Sequence, residues 1–268
     1  MNSPLKWPGG KHYLAKRLWE IASKVPHKHR VEAYCGSCAF TLATDPEGYS
    51  EVVNDLNGPL TNFWDVLQCQ IWFHEFQRLC SVTPFSEVAW ERSGYGITEW
   101  PDKISRAWAF FVQCRQSLGG ATRSFAPLSK KRTRRGMNEQ AAAWLSSIDG
   151  LAEVHNRLKR VVVLRRKAIS VIQTQDSPDT LLYLDPPYTH DSRESTKLYG
   201  NLEMTPLDHA ELCDTVSQCQ GKVMLSGYDN QTYWEKLGDW NVHRFYLPNN
   251  MASGKKKRRM TECVWCNF

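Results

Sequence analysis

The sequence of 268 residues lacks any long apolar run. No stretch approaches the roughly 20 apolar residues that a membrane-spanning helix needs. The N-terminal residues, which include Lys6, Lys11 and Lys16, lack the apolar core of a signal peptide. Internal repeats and low-complexity linkers are also missing. These absences argue against a membrane-embedded or repeat protein and predict a globular protein in the cytoplasm, with no membrane among its partners.

The cysteine content does not suit a disulfide framework. Nine cysteines are an odd number scattered along the chain, which is typical of reduced thiols inside a cell. Two pairs, Cys35/Cys38 and Cys263/Cys266, have the C-x-x-C spacing of zinc ligands. The second pair lies in a pattern typical of a terminal strand, where residues three apart point to opposite faces. We therefore expect no metal site, with a four-cysteine zinc site as the alternative.

Positive charge is concentrated in three clusters that contain no acidic residue. Residues 130–135, 157–167 and 255–259 hold five, six and five of the 34 Lys and Arg residues, so the rest of the chain is net acidic because it carries all 28 Asp and Glu residues. A single such run is usually a solvated loop. Three runs on an otherwise acidic chain favour a surface that binds a polyanion.

One stretch, residues 181–188, organises the rest of the chain. Four mostly aliphatic residues, Leu181 to Leu184, are typical of a buried parallel strand, and Pro186 and Pro187 must end it because proline cannot donate to a sheet ladder. Asp185 and Tyr188 then lie at the carboxyl end of a strand, where open α/β sheets bind ligands. An acid, backbone carbonyls and an aromatic ring there suit a flat ligand that carries an amine.

Two further strand ends carry candidate ligand-binding residues. Residues 30–40 indicate a short strand, a turn with one glycine and a helical start, which is weaker evidence for a nucleotide site than a full G-x-G-x-x-G. About 20 residues on, the strand at 51–56 ends in Asp55, where a carboxylate binds ribose hydroxyls in Rossmann-like halves. A helix-capping role for Asp55 is the alternative, because Asn57 to Pro59 begin the next helix.

The pattern divides the chain into two domains. Residues 59–160 are mostly helical, with 3.6-residue periodicity over 59–80 and 104–118, and a helix is expected at 151–160. Strand patterns cover 161–164, 168–172, 181–184 and 222–226, and antiparallel strands cover 240–247 and 261–268. Thr205 and Pro206 begin a helix that runs to Cys219. We therefore predict a helical recognition domain at 59–160, inserted into a domain made of 1–58 and 161–268.

These pieces, in this order, resemble the Dam-type (D12 class, alpha group) DNA adenine N6-methyltransferases. The matching pieces are Leu5 to Lys11, the loop from Glu32 to Cys38, Asn54-Asp55, the central helical segment and Asp185-Pro186-Pro187-Tyr188. The resemblance covers nearly the whole chain. It implies an α/β fold: a Rossmann-like, S-adenosylmethionine-dependent methyltransferase sheet with an inserted, mainly helical target-recognition domain.

The resemblance also implies a cofactor, S-adenosylmethionine, and its contacts. Trp7 and Lys11 are expected at its methionine end, the 34–36 loop around it, Asp55 at the ribose and Asp176 at the adenine. The full set of expected cofactor residues is Trp7, Gly9, Gly10, Lys11, Tyr34, Cys35, Gly36, Ser37, Asp55, Leu56, Asp176 and Asp185. In the family this loop has the sequence Glu-Pro-Phe, then one residue, then Gly-Xaa-Gly. In this chain Ala33, Tyr34 and Cys38 replace the proline, the phenylalanine and the second glycine. The Cys38 side chain is expected to affect cofactor affinity more than cofactor identity.

The implied reaction is methyl transfer to the N6 amine of an adenine that has flipped out of double-stranded DNA. The catalytic residues are expected to be Asp185, Pro186, Pro187 and Tyr188. In the family mechanism the Asp185 carboxylate and the Pro186 carbonyl accept hydrogen bonds from the amine, which orients its lone pair, and Tyr188 stacks on the base. The chain has no Pro-Cys motif for methylating a cytosine carbon.

DNA contacts are expected from the basic clusters and from the recognition segment. The expected DNA-binding residues are Arg115, Arg123, Lys130, Lys131, Arg132, Arg134, Arg135, Tyr199, Lys255, Lys256, Lys257, Arg258 and Arg259. Residues 157–167 and 255–259 are expected to neutralise phosphates, and side chains between Arg115 and Arg135 to read base edges. The segment 113–123 only partly matches the family pattern, so three alternatives stay open for the target: GATC, a different sequence or a looser one.

Several alternatives stay open on the sequence. The same scaffold serves enzymes that methylate the N4 amine of cytosine or act on RNA, although Asp185 favours adenine because serine is common at this position in the cytosine enzymes. A DNA-binding relative with weak or no catalysis, and a zinc-binding nucleic-acid protein, are the others. No obligate protein partner is evident. The biological role, whether restriction-linked, regulatory or phage self-protection, in a bacterial cell or a phage-infected host, is open.

Overall fold

The computed structural model describes residues 1–94, 99–188, 202–248 and 259–268. Its chain divides into two compact units. Unit 1 contains Met1–Lys16, Gly36–Pro46 and Asn57–Arg165, and unit 2 contains Arg17–Cys35, Glu47–Leu56 and Arg166–Phe268. These units describe packing, and the functional division into 59–160 and the remainder stays a prediction.

The described residues form one large, mostly parallel sheet of seven strands. In chain order these strands are β1 (His29–Glu32), β2 (Ser50–Asn54), β5 (Val161–Leu164), β6 (Thr180–Leu184), β7 (Lys222–Tyr228), β8 (Asn241–Pro248) and β9 (Arg259–Cys266). The strand order across the sheet is β5-β2-β1-β6-β7-β9-β8. β1 is parallel to β2 and to β6, and β6 is parallel to β7, whereas β9 runs antiparallel to β7 and β8. This is a Rossmann-like sheet.

The centre of the sheet is buried on both faces. All five residues of β6 are buried, and Val31 of β1 lies opposite Val52 of β2 and Leu182 of β6. Continuous apolar burial is what a parallel strand covered on both faces requires. The chain order changes direction beside β1, whose neighbours are β2 and β6, and such a switch point is where open α/β sheets bind ligands at the carboxyl ends of their strands.

Helices connect these strands. Before residue 95 the helices are α1 (Ala15–Ala22), α2 (Ala39–Ala43), α3 (Gly58–Gln68), α4 (Gln70–Ser81) and α5 (Glu87–Gly94). They are followed by α6 (Lys103–Gln116), α7 (Glu139–Asp149), α8 (Leu151–Leu158), α9 (Ala168–Gln175), α10 (Pro206–Ser217) and α11 (Gln231–Leu237). Thr205 caps α10 in a capping box with Asp208, and Asn57 caps α3.

Unit 1 has an aromatic core built from its helices. Phe63 of α3 stacks on Phe111 of α6 with ring centroids 5.6 Å apart, and Trp144 of α7 lies 5.3 Å from Phe111. The buried indole of Trp144 donates to the Thr83 carbonyl at 2.7 Å, so its polar atom is satisfied. A short hairpin of β3 (Thr133–Arg134) and β4 (Met137–Asn138) carries part of the basic segment on its exposed strand.

The structure confirms most of the predicted elements and corrects two. The segment 168–172, predicted as a strand, is the start of α9, because Ala168, Val171 and Ile172 repeat at helical spacing and the latter two are buried on one face. The helix predicted over 59–80 is two helices, since Cys69 has an extended backbone (φ −80°, ψ 119°) that ends α3.

In the four described ranges, no helix combines the length and the apolar character that crossing a membrane demands.

Candidate active site

Three strand ends converge at one edge of the sheet in unit 2. Glu32 of β1 lies opposite Val53 of β2 and Tyr183 of β6 in parallel register. The residues that follow these strands, Tyr34, Asp55 and Asp185, therefore emerge at the same, carboxyl edge. The sequence analysis placed Asp55 and Asp185 at the ends of strands, and in the structure each directly follows one.

Asn54 fixes the ends of β1 and β2 relative to each other. Its buried amide donates to the carbonyls of Ala33 (2.9 Å) and Arg166 (3.0 Å), and its side-chain oxygen accepts from the Arg166 amide at 2.9 Å. The Cys35 amide donates to the Asn54 carbonyl at 2.9 Å. These bonds hold the loop after β1 beside Asp55. Burial raises the pKa of Tyr34 in that loop far above its usual value, with Asp208 and other nearby acids adding to the effect.

Asp185 and Tyr188 form a hydrogen-bonded cluster with Glu262 of β9. The Tyr188 hydroxyl lies 3.1 Å from Asp185 Oδ1 and within hydrogen-bonding distance of Glu262 Oε1. The Tyr188 ring packs edge-on against Tyr228, with centroids 4.6 Å apart and planes at 71°. Burial, followed by the negative charges of Asp185 and Glu262, raises the pKa of Tyr188 well above its usual value. Tyr188 is therefore a neutral phenol between two carboxyl groups.

The two-proline turn is held from α10. His209 is buried, and its Nε2 lies 3.0 Å from the Pro187 carbonyl while its Nδ1 lies 2.9 Å from the Tyr233 hydroxyl. A carbonyl only accepts, so Nε2 carries a proton and donates to Pro187, while Nδ1 shares a second hydrogen bond with the Tyr233 hydroxyl, which can donate or accept. This chain of hydrogen bonds fixes the backbone beside Pro186, which is itself buried.

In unit 1, the N-terminal turn packs tightly on the glycine loop. Gly36 has φ +45°, and a Cβ on it would lie 2.8 Å from Trp7 Nε1. A Cβ on Gly10 would lie 3.1 Å from Ser37 Oγ, and the Gly10 amide donates to the Trp7 carbonyl at 3.0 Å. The contact at Gly36 leaves no room for a side chain, whereas a side chain at Gly10 would require Ser37 or Trp7 to shift by a few tenths of an ångström. Lys11 is buried and donates to the Gly9 carbonyl at 3.0 Å.

Cys38 has a left-handed backbone although it is not a glycine. It is buried at φ 52° and ψ 33°, directly before α2. L-residues pay a steric cost in this region. The family pattern has a glycine at this position, and the Cys38 backbone adopts a conformation that glycine favours.

Asp176 lies at the opposite edge of the sheet from Asp185, which does not fit the expected contact with the cofactor adenine. Its carboxylate accepts from the backbone amides of Gln220 (2.8 Å) and Gly221 (2.9 Å), just before β7 begins. It also precedes the start of β6. The amino ends of parallel strands share one edge, so Asp176 stabilises a turn at the far edge. Leu56, also expected at the cofactor, is 45% exposed.

Arg115 is half-buried and Arg157 is buried, and each donates to a backbone carbonyl within unit 1. Arg115 donates to the Ala143 carbonyl at 2.8 Å, and burial lowers its pKa to about 10. Burial and the nearby Arg115 charge lower the pKa of Lys6 to about 8. Arg157 is buried and donates to the Thr41 carbonyl at 2.9 Å. Contacts of Arg115 and Arg157 with DNA stay a prediction.

The other basic residues of the recognition segment are exposed. These residues are Arg123, Lys130, Lys131, Arg132, Arg134 and Arg135. Arg132 pairs with Glu139 at 2.9 Å, and Arg135 pairs with Asp149 at 3.0 Å. Five of the expected DNA-binding residues lie outside the described residues: Tyr199, Lys255, Lys256, Lys257 and Arg258. Arg259 is the first residue of β9.

The cysteine pairs were the candidate metal ligands. Burial raises the pKa of Cys263 to about 11 and that of Cys266 to about 12, so both thiols of the strand pair are protonated at neutral pH. Within the part of the chain that the structure describes, no three His, Cys, Asp or Glu side chains are grouped to hold a metal ion.

The sequence analysis missed Glu262 and His209 as site residues. The signal for Glu262 was present, because an acid in the otherwise apolar strand pattern Cys263 to Cys266 is costly to bury without a partner. No local signal marks His209, whose contact with Pro187 joins residues 22 positions apart.

The family comparison agrees with this geometry. The family model described as D12 class N6 adenine-specific DNA methyltransferase matches residues 7–95 and 134–249. The match includes the Trp7 turn, the loop after β1, Asp55 and the Asp185 to Tyr188 turn, and it omits residues 96–133, where the recognition segment lies. A comparison with curated proteins found no match. The Rossmann-like sheet, the acid and proline turn at its edge and this match over most of the sequence show that the chain belongs to the D12 class N6 adenine-specific DNA methyltransferase family.

Proposed function

We propose that this protein transfers a methyl group from S-adenosylmethionine to the exocyclic N6 amine of adenine in double-stranded DNA. The observation that carries the proposal is the position of Asp185 and the buried Pro186 at the carboxyl end of the central strand β6, in a chain of the adenine-specific family. The carboxylate and the proline carbonyl are acceptors, and the adenine amine has two N–H groups to donate.

The chemistry needs the amine to be oriented. The N6 lone pair is delocalised into the adenine ring, so the amine is a weak nucleophile until its hydrogens are held. Asp185 and the Pro186 carbonyl accept those hydrogens, which directs the lone pair at the methyl group and stabilises the positive charge that develops on nitrogen. His209 supports this by holding the Pro187 carbonyl. Tyr188 contacts the base after it leaves the duplex.

The residues present fit S-adenosylmethionine, which supplies an electrophilic methyl group on sulfur when bound. A Cβ at Gly36 would collide with Trp7, so at this glycine the loop after β1 packs directly on the Trp7 side chain. We propose that Lys11 binds the carboxylate of the methionine part, that Trp7 and the 34–37 loop line the cofactor, and that Asp55 binds the ribose hydroxyls. Asp176 has no part in this proposal.

We propose that DNA phosphates are bound by the exposed basic residues of 130–135 and by 255–259. Base edges are read from the segment around Arg123, whose side chain is exposed. The family match omits residues 96–133, which is consistent with a target-reading segment that differs from the family pattern. We propose that the target is GATC, a different sequence or a looser one.

Product analysis tests the proposal. The wild-type protein is incubated with radiolabelled S-adenosylmethionine and unmethylated duplex DNA, and the DNA is digested to nucleosides and separated. We expect the label in N6-methyl-2′-deoxyadenosine. Label in N4-methylcytosine, label in a matched RNA only, or tight DNA binding without any incorporation would each contradict the proposal. Sequencing of the modified sites then gives the target.

A further inference from the structure

Residues 117–125 form a closed loop in unit 1. The Ala126 amide donates to the Gln116 carbonyl at 2.8 Å, and the Leu118 amide donates to the Ser124 carbonyl at 3.0 Å. These two bonds join the ends of the loop. The loop contains most of the segment to which the proposed function assigns the reading of base edges.

The start of this loop is anchored in the helices of unit 1. Gln116 and Ser117 are fully buried. The Trp90 indole donates to Ser117 Oγ at 2.8 Å, and the Gln116 side-chain amide donates to the Pro84 carbonyl at 3.0 Å. The base of the loop is therefore fixed, and the position of the rest depends on what the loop rests against.

Gly120, inside this loop, lies directly on the backbone of the N-terminal turn. It is buried and has φ +76°. A Cβ on it would overlap the Lys6 carbonyl oxygen and lie 2.7 Å from the Lys6 carbonyl carbon. Gly119 also has a positive φ, but a Cβ there would meet no atom within 4 Å. The loop can therefore rest on Lys6 because residue 120 has no side chain.

Lys6 is continuous with the turn that the proposed function assigns to the cofactor. The next residue, Trp7, packs against Phe110 with ring centroids 6.1 Å apart, and its carbonyl accepts from the Gly10 amide at 3.0 Å. A Cβ on Gly36 would lie 2.8 Å from Trp7 Nε1. One short turn therefore packs on the loop after β1 through Trp7 and supports the loop 117–125 through Lys6.

We propose that Gly120 is a positioning residue for target recognition: it seats the loop 117–125 on the Lys6 carbonyl, so the N-terminal turn sets where the base-reading side chains lie. The inference rests on the proposed function. Gly120 acts through the position of the loop and needs no contact with a base. A side chain at residue 120 displaces the loop or the turn.

Displacement of the loop has a specific consequence for DNA recognition. Hydrogen bonds to base edges require a narrow range of donor–acceptor distances and angles. Contacts of long lysine and arginine side chains with phosphates tolerate displacement and carry no sequence information. Loss of the seat therefore lowers the discrimination between DNA sequences more than it lowers the affinity for DNA.

The experiment compares alanine variants of three glycines that have positive φ. Gly120→Ala, Gly119→Ala and Gly48→Ala all strain the backbone, and among the three only the Cβ at residue 120 meets another backbone atom. The value of kcat/KM is measured for a duplex with the site that the wild type methylates and for a duplex with one base pair of that site changed. One changed base pair lowers recognition about tenfold or more.

We expect Gly120→Ala to reduce this ratio of kcat/KM values at least about fivefold more than Gly119→Ala does. Gly48, which is exposed and lies outside both the turn and the loop, is the control and should keep the wild-type ratio as alanine. A purely structural defect lowers kcat/KM for both duplexes alike and leaves the ratio unchanged. An unchanged ratio in Gly120→Ala, an equal fall in Gly119→Ala, or a wild type that methylates both duplexes equally would overturn the inference.

Hydrogen exchange of the wild-type protein tests the same contact if Gly120→Ala does not fold. S-adenosylhomocysteine holds the N-terminal turn in the proposed function, so we expect it to slow amide exchange in residues 117–125 and not in the hairpin 133–138. Unchanged exchange in the loop at saturating S-adenosylhomocysteine would overturn the role of Gly120. Wild-type protein that neither binds S-adenosylhomocysteine nor methylates DNA would contradict the proposed function itself.

Discussion

A single residue, Cys38, shows a backbone constraint in the loop after β1. Its φ of 52° lies in the left-handed region, where a Cβ costs about 1 kcal/mol. Cys38→Gly and Cys38→Ala both remove the thiol, but only glycine removes the strain. We expect Cys38→Gly to exceed Cys38→Ala in free energy of unfolding by about 1 kcal/mol, measured by urea denaturation. Equal stability of the two variants would show that the loop relaxes without the constraint.

At the residue scale, sequence reasoning locates groups by the strand that precedes them. This worked for Asp185 and Asp55, because each directly follows a predicted strand and strand direction then decides the edge of the sheet. It gives no such guide for Asp176, which precedes a strand, or for Arg115, whose guanidinium donates to the Ala143 carbonyl far along the chain. Burial by distant residues leaves no local pattern in a sequence.

The loop after β1 depends on the absence of a side chain at Gly36. Gly36 and Gly119 both have positive φ, but a Cβ on Gly36 would meet Trp7 at 2.8 Å, whereas one on Gly119 would meet no atom within 4 Å. Both alanine variants carry the backbone strain, so their difference isolates the contact with Trp7. We expect Gly36→Ala to raise the Kd for S-adenosylhomocysteine at least tenfold more than Gly119→Ala does, a difference of about 1.4 kcal/mol in binding free energy. Calorimetry measures both affinities. Similar affinities would remove Trp7 from the proposed cofactor site.

The turn between α9 and β6 is a stabilising element that depends on Asp176. Replacing Asp176 with Ala removes the acceptor of two backbone amides, and we expect a loss of about 2 kcal/mol in free energy of unfolding. Because this turn lies at the far edge of the sheet from Asp185, the affinity for S-adenosylhomocysteine should not change. A large loss of affinity in Asp176→Ala with an unchanged free energy of unfolding would show that Asp176 contacts the cofactor.

Element prediction succeeded where periodicity and boundary residues agreed. The Thr205-Pro206 start of α10 and the Asn57 cap of α3 are local signals, and both appear in the structure. The short apolar segment 168–172 fits the pattern of a strand. In the structure it is helical, and the buried Val171 and Ile172 follow Ala168 at the three- and four-residue spacing of one helix face. Short apolar segments fit both periods, and only packing against the rest of the chain decides between them.

At the scale of the whole molecule, the clustered positive charge is the feature expected to attract DNA. Replacing Lys255, Lys256 and Lys257 with Ala should weaken binding to all duplexes similarly and reduce the salt slope of the logarithm of affinity by about 2 to 3, because three phosphates lose their cations. Binding at several salt concentrations measures this. A triple variant of Lys16, Lys24 and Lys28, which are exposed and outside the clusters, is the control. A loss confined to one DNA sequence would contradict phosphate binding.

The most direct test of the account is the single-turnover rate of methyl transfer by Asp185→Ala. Wild type, Asp185→Ala and the exposed control Asp239→Ala are mixed with saturating radiolabelled S-adenosylmethionine and duplex DNA, and label in adenine is followed with time. Loss of the acceptor that orients the amine should slow transfer by at least about 100-fold, with Asp239→Ala close to wild type. Incorporation by Asp185→Ala at the wild-type rate would contradict the account.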